Sequence, residues 1–218
     1  MVIFDCNGVL VDSESIVADV AAQELSRVGI PLTPELVSRY FTGRRPSDMF
    51  AEVEKAYRMA LPANFATVVN AMTMQRLRAE VRATPHMDYA LTWLRGPKCV
   101  ASSATIDRIR VSLEVTNLLR YFEPNLFSAS EVARGKPAPD LFHYVAAKMG
   151  FTPSECIVVE DSPAGVAAAH AAGMLPVGFV GGSYAQPNLD SALIKAGARV
   201  VLTDMRQLKG TITALRGW

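Results

Sequence analysis

Short runs of apolar residues recur along the chain, with stretches of helical spacing between several of them. The runs carry many β-branched residues and span 1–4, 99–101, 156–159, 175–180 and 200–202. Uninterrupted apolar runs of this length are typical of strands buried on both faces of a sheet. Helical periodicity covers 106–115, 140–149 and 164–172. Strands that alternate with helices predict an α/β fold built on a doubly wound parallel sheet.

One long interruption breaks this alternation. After Asp12 the chain runs for about seventy residues without a convincing strand, and 15–28, 34–40, 46–59 and 64–83 all have the pattern of helices. Prolines mark the breaks between these helices, at positions 31, 34, 46 and 62. We therefore predict a separate helical-bundle domain at 15–81, inserted into an α/β core made of 1–14 and 82–218.

Composition narrows the class of protein. Half of the 218 residues are apolar and a fifth are charged, as in an ordinary globular protein. Lys plus Arg is 22 and Asp plus Glu is 21, so net charge gives no reason to expect nucleic acid or membrane binding. Three scattered cysteines without a CxxC pattern argue against disulfides and a zinc site. We expect a cytoplasmic monomer without a secretory signal or a membrane span.

Asp5 is the first candidate for chemistry. It follows the first apolar run and precedes Asn7 and Gly8. Ligands of doubly wound sheets bind at the carboxyl ends of the strands. A carboxylate at this place can be a metal ligand, a covalent nucleophile or both. The alternative interpretation is an aspartate that only caps a turn.

Two further segments carry groups that suit phosphate. Ser102 and Ser103 end the second apolar run, where hydroxyls and backbone amides could hold phosphate oxygens. The alternative is an ordinary helix cap. Lys136 lies in a turn between Gly135 and Pro137, and a rigidly held lysine can neutralise a phosphate and a carboxylate together. The alternative is a solvated loop lysine.

Glu160 and Asp161 form the last candidate. They end a buried strand as two adjacent acids, which repel each other unless a cation is close. Oxygen ligands of this kind suit Mg²⁺, which keeps several waters and bridges to a substrate phosphate. The alternative is an aspartate that caps the next helix, beside a solvated glutamate.

Taken in order, these segments resemble the motifs of the haloacid dehalogenase superfamily. The most specific stretches are FDCNGVLVDSE, GKPAPDLF and VVEDSPAGVAAAHAAGM. The resemblance covers essentially the whole chain and is closest to the branch of sugar-phosphate phosphatases and β-phosphoglucomutase-like proteins. It implies a Rossmann-like core, a helical cap, and Mg²⁺-dependent transfer of a phosphoryl group from a small phosphorylated metabolite, a sugar or polyol phosphate.

The resemblance also implies a role for each motif residue. Asp5 would attack phosphorus, form an aspartyl phosphate and bind Mg²⁺. The backbone carbonyl of Asn7 and the carboxylates of Glu160 and Asp161 would complete the protein's share of the metal site. Ser102, with Ser103 beside it, would hold the phosphoryl group. Lys136 would offset its charge.

The cap is expected to choose the substrate. Gly43, Arg44 and Arg45 match the family's cap loop that faces the core, and the two arginines could bind a second anionic group. The alternative is an exposed basic turn. Val17 stands near the place where the sugar-phosphate mutases usually carry a histidine, which favours a phosphatase over a mutase.

Asn7 departs from the family pattern. Phosphatases and mutases of this superfamily carry a second aspartate there as the general acid and base, and an amide cannot take that role. Three explanations stay open: a deliberate Asp→Asn change, a natural weak enzyme that binds a phosphorylated ligand, or altered chemistry. The acidic pair argues against the metal-free dehalogenases. A phosphosugar mutase and a non-catalytic binding protein remain the alternative functions.

Overall fold

Six parallel strands form the central sheet in the computed structural model of the protein, which describes residues 1–183, 185 and 187–216. The strands are β1 Val2–Phe4, β2 Val11–Asp12, β3 Arg82–Ala83, β4 Lys98–Ser102, β5 Leu126–Ser128, β6 Ile157–Glu160, β7 Leu175–Phe179 and β8 Val200–Leu202. The sheet order is β5-β4-β1-β6-β7-β8, so the N-terminal strand lies at its centre. The two remaining short strands, β2 and β3, form a separate antiparallel pair.

Helices cover both faces of the sheet. Because side chains of a strand alternate between faces, Val2 and Phe4 pack into one hydrophobic cluster while Met1 and Ile3 pack into the other. This two-sided burial confirms the doubly wound α/β core. The helices outside the insertion are α5 Met87–Trp93, α6 Ile106–Val115, α7 Asp140–Met149, α8 Pro163–Ala171, α9 Leu189–Ala196 and α10 Leu208–Arg216.

The segment after β2 is helical, as its periodicity predicts. It contains α1 Glu14–Arg27, α2 Pro34–Phe41, α3 Pro46–Tyr57 and α4 Phe65–Glu80, which share a hydrophobic core of their own. Phe50 and Phe65 meet edge to face there, with ring centroids 5.1 Å apart. The polar exception on the buried face of α1, Glu24, accepts a hydrogen bond of 2.5 Å from Arg27. We call 14–81 the helical insertion; its division from the core as a domain stays a prediction.

The five predicted strands agree with the sheet to within one residue at each end. One local prediction is wrong, and one strand of the sheet is missed. The helix predicted to end at 83 ends at Glu80, because Arg82 and Ala83 pair with β2. The strand β5 was not predicted, because only two apolar residues, Leu126 and Phe127, mark it. Within the part of the chain that the structure describes, no helix has the length and apolar character to cross a bilayer.

Candidate active site

Asp5 lies directly after the central strand β1. Its backbone amide still bonds the carbonyl of Val159 at 3.0 Å, which holds the residue at the edge of the sheet. The side chain is buried, and Lys136 Nζ lies 2.6 Å from its Oδ1. No other side-chain hydrogen bond reaches this carboxylate from the described residues, so Oδ2 is available to a ligand.

Lys136 joins three strand ends. It is 1 % exposed and donates to Asp5, to Glu160 Oε1 at 2.5 Å and to the carbonyl of Ala101 at 3.1 Å. Burial alone would lower the pKa of this lysine, but the two carboxylates outweigh it and hold the pKa raised. Burial also raises the pKa of Asp5 to about 7, against the opposing effect of Lys136. The interpretation of Lys136 as a solvated loop residue is therefore wrong.

Glu160 is fully buried at the end of β6, so the interpretation of a solvated glutamate is also wrong. Its Oε1 accepts from Lys136, and its Oε2 accepts from the amide and hydroxyl of Ser162 at 3.2 and 3.0 Å. Ser162 in turn caps α8 by accepting from the Gly165 amide at 3.0 Å. The helix cap thus comes from Ser162 rather than from Asp161. Both oxygens of Glu160 therefore have protein donors.

Asp161 faces the loop after Asp5. Gly8 has φ +74°, and a Cβ built on it would lie 1.9 Å from Asp161 Oδ2. Only glycine combines that backbone with so close a contact. Burial, and after it three neighbouring carboxylates, raise the pKa of Asp161 well above its usual value. A nearby cation would relieve this repulsion, because it favours the ionised form of each acid.

The residues here fit a hard divalent cation. Asp5 and Asp161 offer carboxylate oxygens, and Asn7 follows on the same loop. Among the described residues, no three acidic, histidine or cysteine side chains already form a complete ligand set. Such a partial set suits Mg²⁺, which is bound through one or two carboxylates and completed by water and substrate phosphate.

The helical insertion contacts the core next to these residues. Ser103, one residue after β4, donates a hydrogen bond of 2.7 Å to the carbonyl of Gly43. A Cβ at Gly43, where φ is +79°, would lie 2.1 Å from the hydroxyl of Ser162. Ser102 Oγ accepts from the Ala104 amide at 3.3 Å. The loop after α2 therefore rests on the ends of β4 and β6.

Between insertion and core lies a cavity of about 690 Å³, counted to its open mouth. Its base holds Asp5, Asn7, Ser102 and Ser103, and Glu14 and Arg108 stand on its walls. Its roof comes from the helical insertion and is mainly apolar, with Val17, Ala18, Ala21, Val37, Phe41, Met49, Phe50 and Val69. The cavity thus joins a charged base to a hydrophobic roof.

The two arginines of the cap loop have different surroundings. Arg44 lines the cavity, although two hydrogen bonds pair its guanidinium with Glu52. Arg45 lies outside the lining, bonds Asp48 at 2.9 and 3.1 Å, and donates to backbone carbonyls of the core. Those carbonyls belong to Ala129, Val132 and Ala133, at 3.4, 3.2 and 3.2 Å. Arg45 therefore connects the helical insertion to the core.

Comparison with known proteins identifies the family. A family model described as haloacid dehalogenase-like hydrolase matches residues 1–173, which is most of the chain. The chain belongs to the haloacid dehalogenase-like hydrolases. The resemblance of its strand-end motifs to this superfamily is thereby confirmed.

Individual members of the haloacid dehalogenase-like family are similar to this chain over most of its length. The 6-phosphogluconate phosphatase of Escherichia coli (strain K12) is 33% identical over 174 residues, 79% of either chain. A haloacid dehalogenase-like protein of Agrobacterium tumefaciens str. C58 superposes with a TM-score of 0.83 at 35% identity, over 99% of this chain and 98% of that one. A family hydrolase of Deinococcus radiodurans R1, crystallised with phosphate and sodium, has a TM-score of 0.75 at 31% identity, over 99% and 95%.

The sequence analysis assigned no role to two residues on the cavity walls, Glu14 and Arg108. Glu14 belongs to the quoted FDCNGVLVDSE stretch but received no role. Arg108 lies on the same face of α6 as the buried Ile109, Ser112 and Leu113. A helical projection of 106–115 would have placed this arginine among apolar residues, which is a signal for a functional charge.

Proposed function

We propose that the protein is a Mg²⁺-dependent phosphatase of a small phosphorylated metabolite, a sugar or polyol phosphate. The observation that carries this proposal is the buried Asp5 carboxylate at the base of the cavity, with Oδ1 held by Lys136 and Oδ2 available. A nucleophile needs such a fixed orientation, because positioning and charge neutralisation dominate phosphoryl transfer. The names of relatives, such as 6-phosphogluconate phosphatase, support the substrate class.

The reaction has two displacements at phosphorus. Asp5 Oδ2 attacks the phosphoryl group, the bond from phosphorus to the ester oxygen breaks, and an aspartyl phosphate forms while the alcohol departs with a proton taken from water. A water molecule then attacks the same phosphorus, so inorganic phosphate leaves and the Asp5 carboxylate is restored. The Ser102 hydroxyl holds a phosphoryl oxygen through both steps. The Lys136 ammonium, whose three donors bond Asp5, Glu160 and the Ala101 carbonyl, offsets negative charge and keeps Asp5 in place.

We assign the metal to Asp5, Asp161 and the backbone carbonyl of Asn7, with Glu160 acting through water because its own oxygens have protein donors. When bound, Mg²⁺ offsets negative charge on the phosphoryl oxygens and polarises the phosphorus they surround.

Asn7 determines how fast this site turns over. Its amide lines the cavity beside Asp5 but cannot give or take a proton at working pH. The loss of general acid–base help lowers rates by about 10²–10⁴. The chain therefore binds its substrate and hydrolyses it slowly, whether Asn7 is natural or a deliberate change.

Other reactions known in the superfamily find less support. A phosphonatase needs a cap lysine that forms an imine, and no lysine is among the residues that the structure describes as lining the cavity. A mutase would use a histidine near the position of Val17, which here is an apolar residue in the roof of the cavity.

The test is release of inorganic phosphate from a panel of sugar and polyol phosphates with Mg²⁺, by the unmodified chain and by Asn7→Asp. We expect Asn7→Asp to be faster by about 10²–10⁴. The double variant Asn7→Asp/Asp5→Asn is the control and should release nothing. A folded Asn7→Asp protein that hydrolyses no ester on the panel would contradict the proposal and favour a binding protein.

A further inference from the structure

Unpaired polar atoms concentrate in the cavity. Five buried side-chain polar atoms of the described residues have no hydrogen-bond partner, and three of them belong to cavity-lining residues. These three are Arg44 Nε, Thr73 Oγ1 and Arg108 Nε. Buried polar groups are normally hydrogen-bonded, so a cluster of exceptions in one cavity points to a ligand that bonds them.

Arg108 is the strongest of these. It is 5 % exposed, yet within the described chain its guanidinium makes no hydrogen bond and no ion pair within 4.0 Å. Burial lowers the pKa of this arginine, with Glu14 opposing the effect. The neighbouring arginine on the same helix, Arg110, has a side chain that is 41% exposed and pairs with Glu123 at 2.5 Å. A buried, unpaired guanidinium is costly in the free protein and therefore favours an anionic ligand.

Glu14 does not act as the counter-ion. Its Oε2 accepts a hydrogen bond of 3.2 Å from the Thr42 hydroxyl, and no ion pair joins it to Arg108. Burial raises the pKa of Glu14, and the Thr42 hydrogen bond opposes this effect. A carboxyl with a hydroxyl beside it can bond the alcohol groups of a polyol.

The anion is also distinct from the transferring phosphoryl group. Lys136 donates to Asp5 Oδ1, on the carboxylate that would attack phosphorus, whereas no hydrogen bond or ion pair among the described residues joins Arg108 to Asp5. The acid that acts on Arg108 is Glu14, at the start of α1. Arg108 therefore serves the part of the substrate that leaves. One guanidinium matches one carboxylate, to which its planar fork binds through two hydrogen bonds, whereas a second phosphate would bring a further charge into a mainly apolar cavity.

We infer that Arg108 is a specificity-determining residue that binds a carboxylate on the leaving group, so the preferred substrates are phosphate esters of sugar acids. Glu14 and Thr42 form hydrogen bonds with the substrate hydroxyls that lie between its phosphate and its carboxylate. This inference rests on the proposed function and refines its substrate class.

The experiment uses two ligands that differ only at one carbon, 6-phosphogluconate with a carboxylate and sorbitol 6-phosphate with an alcohol. Their dissociation constants are measured by calorimetry on the unmodified chain with Mg²⁺, and their kcat/KM values on Asn7→Asp. Arg108→Met and Arg108→Lys are compared with Arg110→Met in both series.

We expect Arg108→Met to lower the acid-to-alcohol preference about tenfold to a hundredfold, as loss of a charge-assisted contact does. Arg108→Lys should retain part of the acid-to-alcohol preference, and Arg110→Met should retain all of it. Equal losses on both ligands would assign Arg108 to the phosphoryl group and overturn the inference, and so would an unchanged preference. If Asn7→Asp hydrolyses no ester of the sugar and polyol phosphate panel, the proposed function fails, while the calorimetric preference still decides the role of Arg108.

Discussion

Replacing Lys136 by methionine tests whether the site is held together by one buried cation. The variant keeps most of the volume of the side chain but removes the donor to Asp5 and Glu160, at 2.6 and 2.5 Å. It also removes the ammonium 5.4 Å from the Phe142 ring. Because breaking a buried ion pair leaves an uncompensated charge, we expect a loss of about 3–5 kcal/mol in the free energy of unfolding.

The loss should depend on pH. Burial raises the pKa of Asp5 from 3.8 to about 7, so this acid is more stable protonated and its contribution to stability falls as the pH rises through that window. Lys136 lowers the pKa of Asp5, and its removal moves the pKa further up. The deficit of Lys136→Met should therefore be smaller at about pH 5, where Asp5 takes a proton, than at about pH 8.

The assay is urea unfolding followed by circular dichroism in the presence of EDTA, which keeps metal from replacing the lost cation. Lys148→Met, on the helix α7 that follows Lys136, is the matched control, because that lysine is exposed and its ammonium lies 5.5 Å from the centre of the Tyr144 ring. A deficit of less than about 1 kcal/mol, the value for an exposed pair, would refute the reasoning. So would a deficit that is the same at both pH values.

Three further outcomes are expected. Gly8→Ala should displace Asp161 and weaken Mg²⁺ binding about tenfold to a hundredfold, as measured by calorimetry. The control Gly29→Ala, with φ +86° and nothing within 4 Å, should cost only about 1–2 kcal/mol of stability. Mg²⁺ at about 100 times its Kd should raise the free energy of unfolding by about 2.7 kcal/mol. If thermal unfolding of Asp161→Asn at the same Mg²⁺ concentration shows the same gain, Asp161 is not a ligand of the metal. Arg45→Met should speed proteolysis of the helical insertion, because it removes the hydrogen bonds that join the insertion to the core. Equally fast cleavage of the exposed control Arg78→Met would show that Arg45 does not make this connection.

Residues at strand ends are the part of the site that sequence can predict. Asp5, Ser102 and Glu160 each follow an apolar run, and parallel strands bring their carboxyl ends to one edge. The fold class follows from the same runs. No three-dimensional information was needed for this, because the strand and its last residue are adjacent in the chain.

The contents of the cavity walls could not be predicted in the same way. Glu14 and Arg108 are far apart in sequence, and only the packing of α1 and α4 near α6 places both on one cavity. The bonds of Arg45 to carbonyls near residue 132 are equally non-local. Burial is the other missing quantity: it makes Lys136 a structural cation and raises the pKa of Asp5, and no single-sequence pattern measures it.

The antiparallel pair of β2 and β3 has a consequence for how such proteins diversify. Val11 lies opposite Ala83 and Asp12 opposite Arg82, so the chain leaves and re-enters the α/β layer at neighbouring points. Everything between them can be lengthened, shortened or exchanged while the sheet keeps its register, since both attachment points stay in place. The apolar roof above Asp5 can therefore change while Asp5, Lys136 and Arg108 stay in place on one unaltered scaffold.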